Sequence, residues 1–217
     1  MKGHILLGAP GCGKGTAARL LVERLALIHL STGDILRDAV SKGTDVGLRA
    51  KAIMASGKLV DDDTVNGLVF ARLQGETGSV LFDGYPRTLQ QAQSLEAFLS
   101  SKGQSLGLVV NLEVPREVLE ARIVGRRTCS NYDCAAIYHL ETRPPLVEGV
   151  CDRCGSKLKR RADDTAEAFR SRMLEFDATF QPMLAHFKGR PNYRSVDGNR
   201  SAEAVFESLV QLFGESA

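Results

Sequence analysis

Residues 8–16 read GAPGCGKGT, and the fold turns on how this stretch is read. Glycines at 8, 11 and 13 ahead of Lys14 have the spacing of a phosphate-binding loop. In such a loop backbone N–H groups surround an anion while the lysine reaches the outer phosphates. The usual pattern continues with Ser or Thr, yet position 15 is glycine and the hydroxyl comes one residue later, at Thr16. Upstream, His4 to Gly8 forms a short apolar run that predicts a buried strand. Downstream, KGTAARLLVERLA carries Ala, Leu and Val at helical spacing, so strand, loop and helix follow in the order that aims a helix N-terminus at an anion. A glycine-rich turn could merely join a strand to a helix; the lysine and the flanking periodicity favour phosphate.

The rest of the chain is compatible with that start. Its 217 residues can bury one substantial core and carry a small inserted module. With 43% hydrophobic residues, 25% charged residues and a net charge of +2, wholesale nucleic-acid binding is disfavoured and any cationic function must be local. Arginine outnumbers lysine by about two to one, which suits forked contacts with phosphate oxygens. HILLGAP is too short for a signal peptide or a membrane span, and no other apolar run approaches the ~18 residues a span needs. The expectation is a cytoplasmic protein with reduced thiols, whose five cysteines need a reason other than disulfides.

LIHLS, SVLFD and LGLVVNLEV are near-continuous apolar strands alternating with helical segments, which predicts an α/β fold with a parallel sheet covered on both faces. Thr32 to Lys58 reads as two short helices broken at Gly43, and DDTVNGLVFARLQG as a helix capped by Asp62 or Asp63. PREVLEARIVGRR starts a helix at Pro115. DDTAEAFRSRMLEFDATFQPMLAHFKG predicts a long helix with a bend at Pro182, and NYRSVDG and SAEAVFESLVQLFG supply a last strand and helix. Asp83, ending SVLFD, is either a capping residue in a tight turn or the acid that holds magnesium or its waters.

From about Arg127 to Lys159 the apolar periodicity stops, and the segment holds four cysteines with Pro144 and Pro145. Four residues separate Cys129 from Cys134, two separate Cys151 from Cys154, and 16 lie between the pairs. Two such pairs, in a segment too poor in apolar residues to build its own core, read as one tetrahedral structural zinc site. Asp133 and His139 rank below the cysteines as ligands. Four thiolates leave no open position, so the metal would hold shape and take no part in catalysis.

GAPGCGKGT, followed in order by STGDILR, GKLVDD, DGYPRTLQQ, RIVGRR and RRADD, resembles the adenylate kinase family from about residue 4 to 200. The glycine after the lysine belongs to that family's own loop, so the departure at Gly15 sharpens the match. The resemblance implies a P-loop NTPase core (1–30, 61–125 and 162–217), an AMP-binding helical insertion (31–60) and a zinc-binding lid (126–161). It also implies reversible, magnesium-dependent transfer of the terminal phosphoryl group from ATP to AMP, giving two ADP, by a monomer that binds neither nucleic acid nor membrane. The family normally has two residues between its first two lid cysteines; the four in CSNYDC remove the usual zinc-knuckle turn and put the first pair in question.

By resemblance, ATP is held by Gly11, Cys12, Gly13, Lys14, Gly15, Thr16, Arg122, Arg126, Ile137, Tyr138 and Arg200, the last through its carbonyl. AMP is held by Thr32, Arg37, Lys58, Leu59, Val60, Gly84, Tyr85, Pro86, Arg87, Gln91, Arg161 and Arg172, with Thr32 and Gln91 reading the base. Lys14, Arg87, Arg122, Arg126, Arg161 and Arg172 are the expected catalytic groups, because phosphoryl transfer is mostly positioning and electrostatic stabilisation. Arg127 and Arg160 adjoin two of these, and pairing with Asp163 and Asp164 is the bland alternative for the arginines. No general base is needed, since an AMP phosphate with a second pKa near ~6 is largely dianionic at neutral pH. Tyr138 could equally pack within the lid, and Cys12 is more readily a buried filler than a reactive thiol.

Two other readings compete. A UMP or CMP acceptor would keep the fold, but relatives acting on these typically carry Ala and Asn in place of the threonine and glutamine. A zinc-ribbon nucleic-acid binder is opposed by the near-neutral charge, the absence of Trp, 6% aromatics and no continuous basic stripe. No NKxD motif supports a GTPase. Two mobile parts, residues 31–60 and the lid, are expected to close over the nucleotides and exclude water.

Overall fold

Apolar strands whose successive side chains face opposite sides build the main sheet of this protein, described here by a computed structural model over residues 2–214. Strand β1 (Lys2–Gly8) leads through the glycine loop into α1 (Lys14–Leu25), followed by β2 (Ile28–Ser31), α2 (Thr32–Ser41), α3 (Asp45–Ala55), α4 (Asp62–Leu73) and β3 (Val80–Asp83). Helix α5 (Leu89–Ser101), β4 (Ser105–Glu113) and α6 (Arg116–Val124) precede the lid strands β5 (Arg126–Cys129), β6 (Ile137–His139) and β7 (Leu158–Lys159). Helix α7 (Ala166–Phe187), β8 (Tyr193–Asp197) and α8 (Ala202–Gly214) complete the chain.

The main sheet is parallel throughout, in the order β2-β3-β1-β4-β8. Successive side chains on a strand face opposite ways, so Ile5 and Leu7 join the core on one side with Val80, Phe82 and Val109. Leu6, Leu81 and Val110 join the other, under α1, α6 and α8. Register then aligns the carboxyl ends: Leu6 pairs with Asp83, Ser31 with Asp83, and Gly8 with Leu112. After β1 the chain turns to β3 and β2 on one side and later to β4 and β8 on the other, so the glycine loop leaves the sheet at its switch point.

Capping explains where the helices begin. Side-chain oxygens of Ser31, Thr44, Thr88 and Thr165 accept from backbone N–H groups three residues on. The cap of α4 is Asp61, which accepts from Thr64 N at 2.8 Å, and not Asp62 or Asp63. Asp62 is diverted: its carboxylate accepts from Thr88 Oγ1 and Gln91 Nε2, both at 2.7 Å. The long helix starts at Ala166, later than the sequence pattern suggests, because Thr165 caps it. It continues through Pro182 as a single α7.

The inserted module is a three-stranded antiparallel sheet, β6-β5-β7, with its own small cluster of Cys129, Ala136, Tyr138, Cys151 and Leu158. It rests on the core, with Ile137 Cδ1 about 3.5 Å from where a Cβ on Gly15 would lie. Among the described residues no helix is long and apolar enough to cross a membrane.

Candidate active site

Gly11 opens the loop with φ of +88°, and a Cβ there would lie 2.8 Å from Leu119 O, so only glycine brings the chain this close to α6. Lys14 then turns back: its Nζ donates to Gly8 O and, at 2.9 Å, to Ala9 O, and lies 3.5 Å from Cys12 Sγ. Cys12 is 3% exposed and packs in the core beneath α1, which agrees with the filler reading. Gly15 has ordinary helical dihedrals, and the space its Cβ would take lies 3.5 Å from Asp83 Oδ2. Position 15 therefore offers no hydroxyl beside Asp83.

Asp83 is buried at the sheet's carboxyl edge, 3.5 Å from His29 Nε2. Burial pushes its carboxyl up, but His29 and the Lys14 ammonium more than offset this and hold it below the usual carboxylate range. An ionised buried carboxylate at the rim of a phosphate loop, beside the room left by Gly15, fits a hydrated divalent cation.

The glycine loop forms one wall of a cavity of about 940 Å³. Ten arginine and lysine side chains line it against four carboxylates, an imbalance that favours a polyanion. Gly11, Cys12, Gly13, Lys14, Gly15, Thr16, Arg122, Arg126, Ile137, Tyr138 and Arg200 all lie on it, as do Arg37, Leu59, Asp83, Gly84, Pro86, Arg87, Arg161 and Arg172. A smaller adjoining pocket of about 60 Å³ is lined by Thr32, Lys58, Leu59, Val60 and Gln91. The two share Arg37, Gly84, Arg87 and Arg172. Tyr85 lines neither, contrary to expectation: its ring is wholly buried and its hydroxyl donates to Asn66 Oδ1 at 2.6 Å. The phenol of Tyr138 also turns inward, where its hydroxyl accepts from Asp152 N at 2.9 Å and lies 3.5 Å from Cys151 Sγ.

Two of the arginines, Arg126 and Arg172, are held by acids, so for these the bland pairing and the cavity position coexist. Arg126 forks onto fully buried Asp164 through Nε at 3.0 Å and Nη2, and Arg172 Nη1 meets Asp163 Oδ2 at 2.9 Å. Arg122 reaches Gly198 O and Asn199 Oδ1, and Arg87 Nε donates to Gly84 O at 2.7 Å. Arg161 is less well satisfied. Its buried Nε has no partner, and burial, then the charges of Arg37 and Arg126, bring its guanidinium down to about 9. Burial and the neighbouring Arg172 and Arg37 likewise lower Arg87 to about 10. These are the signs of cations crowded together with too little counter-charge, a state that a bound polyphosphate relieves.

Gln91 is more committed than its motif suggests: Oε1 accepts from Arg87 N at 2.7 Å while Nε2 donates to Asp62. A carboxamide keeps one further N–H and one lone pair beyond these bonds, so it can still meet an adenine edge. Thr32 Oγ1 donates to Gly84 O at 2.9 Å. Sequence reading missed Arg19, Asp34 and His29 as site residues. STGDILR contains Asp34 within a quoted motif, but nothing in the pattern shows that its carboxylate sits between Arg19 and Arg37.

In the lid the four cysteine sulfurs lie within 4.8 Å of one another, with Cys129 and Cys154 3.4 Å apart and Cys134 and Cys151 3.7 Å apart. None is in a disulfide. Four thiolates about 2.3 Å from one ion would stand at such separations, so the group fits a tetrahedral metal. The extra residues in CSNYDC are absorbed by a turn in which Ala135 N donates to Asn131 O, with Ala135 at φ of +42°, so Cys134 still converges. His139 lies outside the cluster: its Nε2 meets Ala121 O at 3.1 Å.

A sequence model described as adenylate kinase matches residues 6–191. The chain is 49% identical over 211 residues to the adenylate kinase of Rhizorhabdus wittichii, covering 96% of this chain and 97% of that protein. It is 48% identical over 214 residues to the enzyme of Rhizobium rhizogenes (97% and 98% covered). With that of Methanosarcina acetivorans the identity is 44% over 216 residues (98% and 99%).

Proposed function

The chain belongs to the adenylate kinase family and catalyses reversible transfer of the terminal phosphoryl group of ATP to AMP, and on that premise we propose how its residues divide the work. ATP lies with its phosphates in the loop of Gly11, Cys12, Gly13, Lys14, Gly15 and Thr16, its base under the lid at Ile137 and near Arg122 and Arg200. AMP occupies the pocket lined by Thr32, Lys58, Val60 and Gln91, with its phosphate towards Arg37, Arg87 and Arg172. The observation that carries this reading is the continuity of the two cavities through shared Arg37, Gly84, Arg87 and Arg172, which lets two phosphate chains meet end to end.

Chemistry at that junction needs charge stabilisation and alignment more than proton transfer. Lys14, Arg87, Arg122, Arg126, Arg161 and Arg172 supply the cations. Asp164 and Asp163 fix Arg126 and Arg172 in place and so orient their guanidinium groups. Asp83 would hold Mg²⁺ brought with ATP, and the ion would supply positive charge against the phosphates. Cys129, Cys134, Cys151 and Cys154 hold one structural Zn²⁺, and the working parts are a core of 1–30, 61–125 and 162–217, an AMP segment of 31–60 and a lid of 126–161. The setting that goes with this reading is a cytoplasmic monomer.

An acceptor panel tests the assignment. With ATP and Mg²⁺ at equal acceptor concentrations, AMP is expected to be phosphorylated far faster than UMP or CMP; preference for a pyrimidine would overturn the AMP pocket. Elemental analysis is expected to give one zinc per chain, and a zinc-free active protein with an unaltered lid would reject the metal.

A further inference from the structure

Arg19 and Glu23 stand four residues apart on α1 and so share one face of that helix. Each meets the lid beside a different cysteine pair. Arg19 Nη1 donates to the carbonyl of Ala135, the residue after Cys134. Arg153, between Cys151 and Cys154, places Nη2 2.8 Å from Glu23 Oε1. Arg19 also faces the other way: its Nη2 donates to Asp34 Oδ2 at 2.9 Å, and the second oxygen of Asp34 accepts from Arg37 Nη2 at 2.7 Å. A continuous run of contacts thus joins Ala135 in the lid, Arg19 in the core, and Asp34 and Arg37 in the AMP segment.

We propose that the Arg19–Glu23 face of α1 is the seat on which the lid closes, and that Arg19 is a positioning residue that links the closed lid to Arg37 through Asp34. The linkage to AMP rests on the assignment of Arg37 to the AMP site given above. The two halves of the seat differ in weight. Arg153 and Glu23 are 55% and 54% exposed, a screened pair of little energetic value that helps orient the lid. Arg19 and Asp34 are 17% and 33% exposed, and the guanidinium uses two separate nitrogens in fixed geometry to hold two segments at once. A lysine has one ammonium at the end of its stem and cannot reproduce that fork.

The test uses the full-length protein, measuring KM and kcat for both nucleotides together with amide hydrogen exchange over residues 31–60 and 126–161. Arg19→Ala is expected to raise the AMP KM about tenfold, the order of one lost charge-assisted hydrogen bond, and to speed exchange in both segments. Arg19→Gln serves the same purpose if the alanine variant loses stability. Glu23→Gln is expected to speed exchange in the lid alone, with the AMP KM unchanged. In a cycle with Asp34→Asn the Arg19 effect on AMP KM should be clearly less than additive. Arg37→Ala is the control. If it raises the AMP KM while Arg19→Ala changes neither that KM nor exchange in residues 31–60, the linkage is wrong and the AMP site stands. If Arg37→Ala is also without effect, the AMP site and the linkage fall together.

Discussion

Arg87 is a half-buried cation crowded by other guanidinium groups. It is held by Gly84 O, lowered to about 10 by burial and by Arg172 and Arg37, and lies where the two cavities join. Arg87→Ala should lower kcat about 10²–10³-fold with the fold intact, as removal of one charge-stabilising donor does elsewhere; near-normal turnover in a folded variant would remove it from the clamp. His4 presents the opposite case, a buried ring kept neutral. Its Nδ1 accepts from Leu108 N at 3.0 Å, where the β1–β4 register shifts between Gly3 and Ile5, and burial followed by the charge of Lys2 lowers it to about 4. The folded pKa lies below the unfolded value, so this contribution is complete above about pH 6.5 and fades as pH falls towards 4; about 2 kcal/mol should go between pH 7 and 5. Denaturant unfolding of the wild type and His4→Asn at both pH values checks this, the variant being expected to lose distinctly less. At this scale the sequence revealed residue types but not partners. The motif DGYPRT marks Arg87, yet Tyr85 in the same motif is a core residue, and Asp62 serves Gln91 and Thr88 where a cap was expected.

Among the elements, strands and helices were legible because apolar runs and helical periodicity persist over many residues: β1, β3, β4 and α1 fall where the patterns put them. Their ends were less so, since Asp61, Asp62 and Asp63 compete for one cap and only the fold decides among them. The crossing of α2 and α3 was not legible at all. Gly47 is helical, and a Cβ on it would lie 2.1 Å from Ala39 O, so the two helices pack backbone to backbone. Gly47→Ala should force them apart, destabilising residues 31–60 by about 1–3 kcal/mol and raising the AMP KM more than the ATP KM; equal stability would show that the contact yields freely. In the lid, composition pointed to the cysteines, while the turn that brings Cys134 in across four residues needed the structure. Chelation of the proposed Zn²⁺ should lower the melting temperature and expose the lid to protease ahead of the core. Unchanged lid protection after verified metal loss would mean that β5, β6 and β7 hold themselves.

At the level of the whole molecule, the sheet gathers Gly8, Ser31 and Asp83 at one edge, and the lid and residues 31–60 bring arginines to that edge from both sides. The order of motifs made the fold and the reaction legible, because each motif follows its own strand or helix. How the segments touch was not, since Arg19, Asp34 and Ala135 are distant in sequence and belong to no pattern that spacing reveals. The central claim is that one continuous, cation-lined cavity receives two nucleotides with their phosphates meeting head to head. Calorimetric titration with two adenosines joined through five phosphates measures it directly. The expected result is one molecule bound per chain, competing with ATP and with AMP alike and weakened by Arg87→Ala; two molecules per chain, or competition with only one nucleotide, would contradict it.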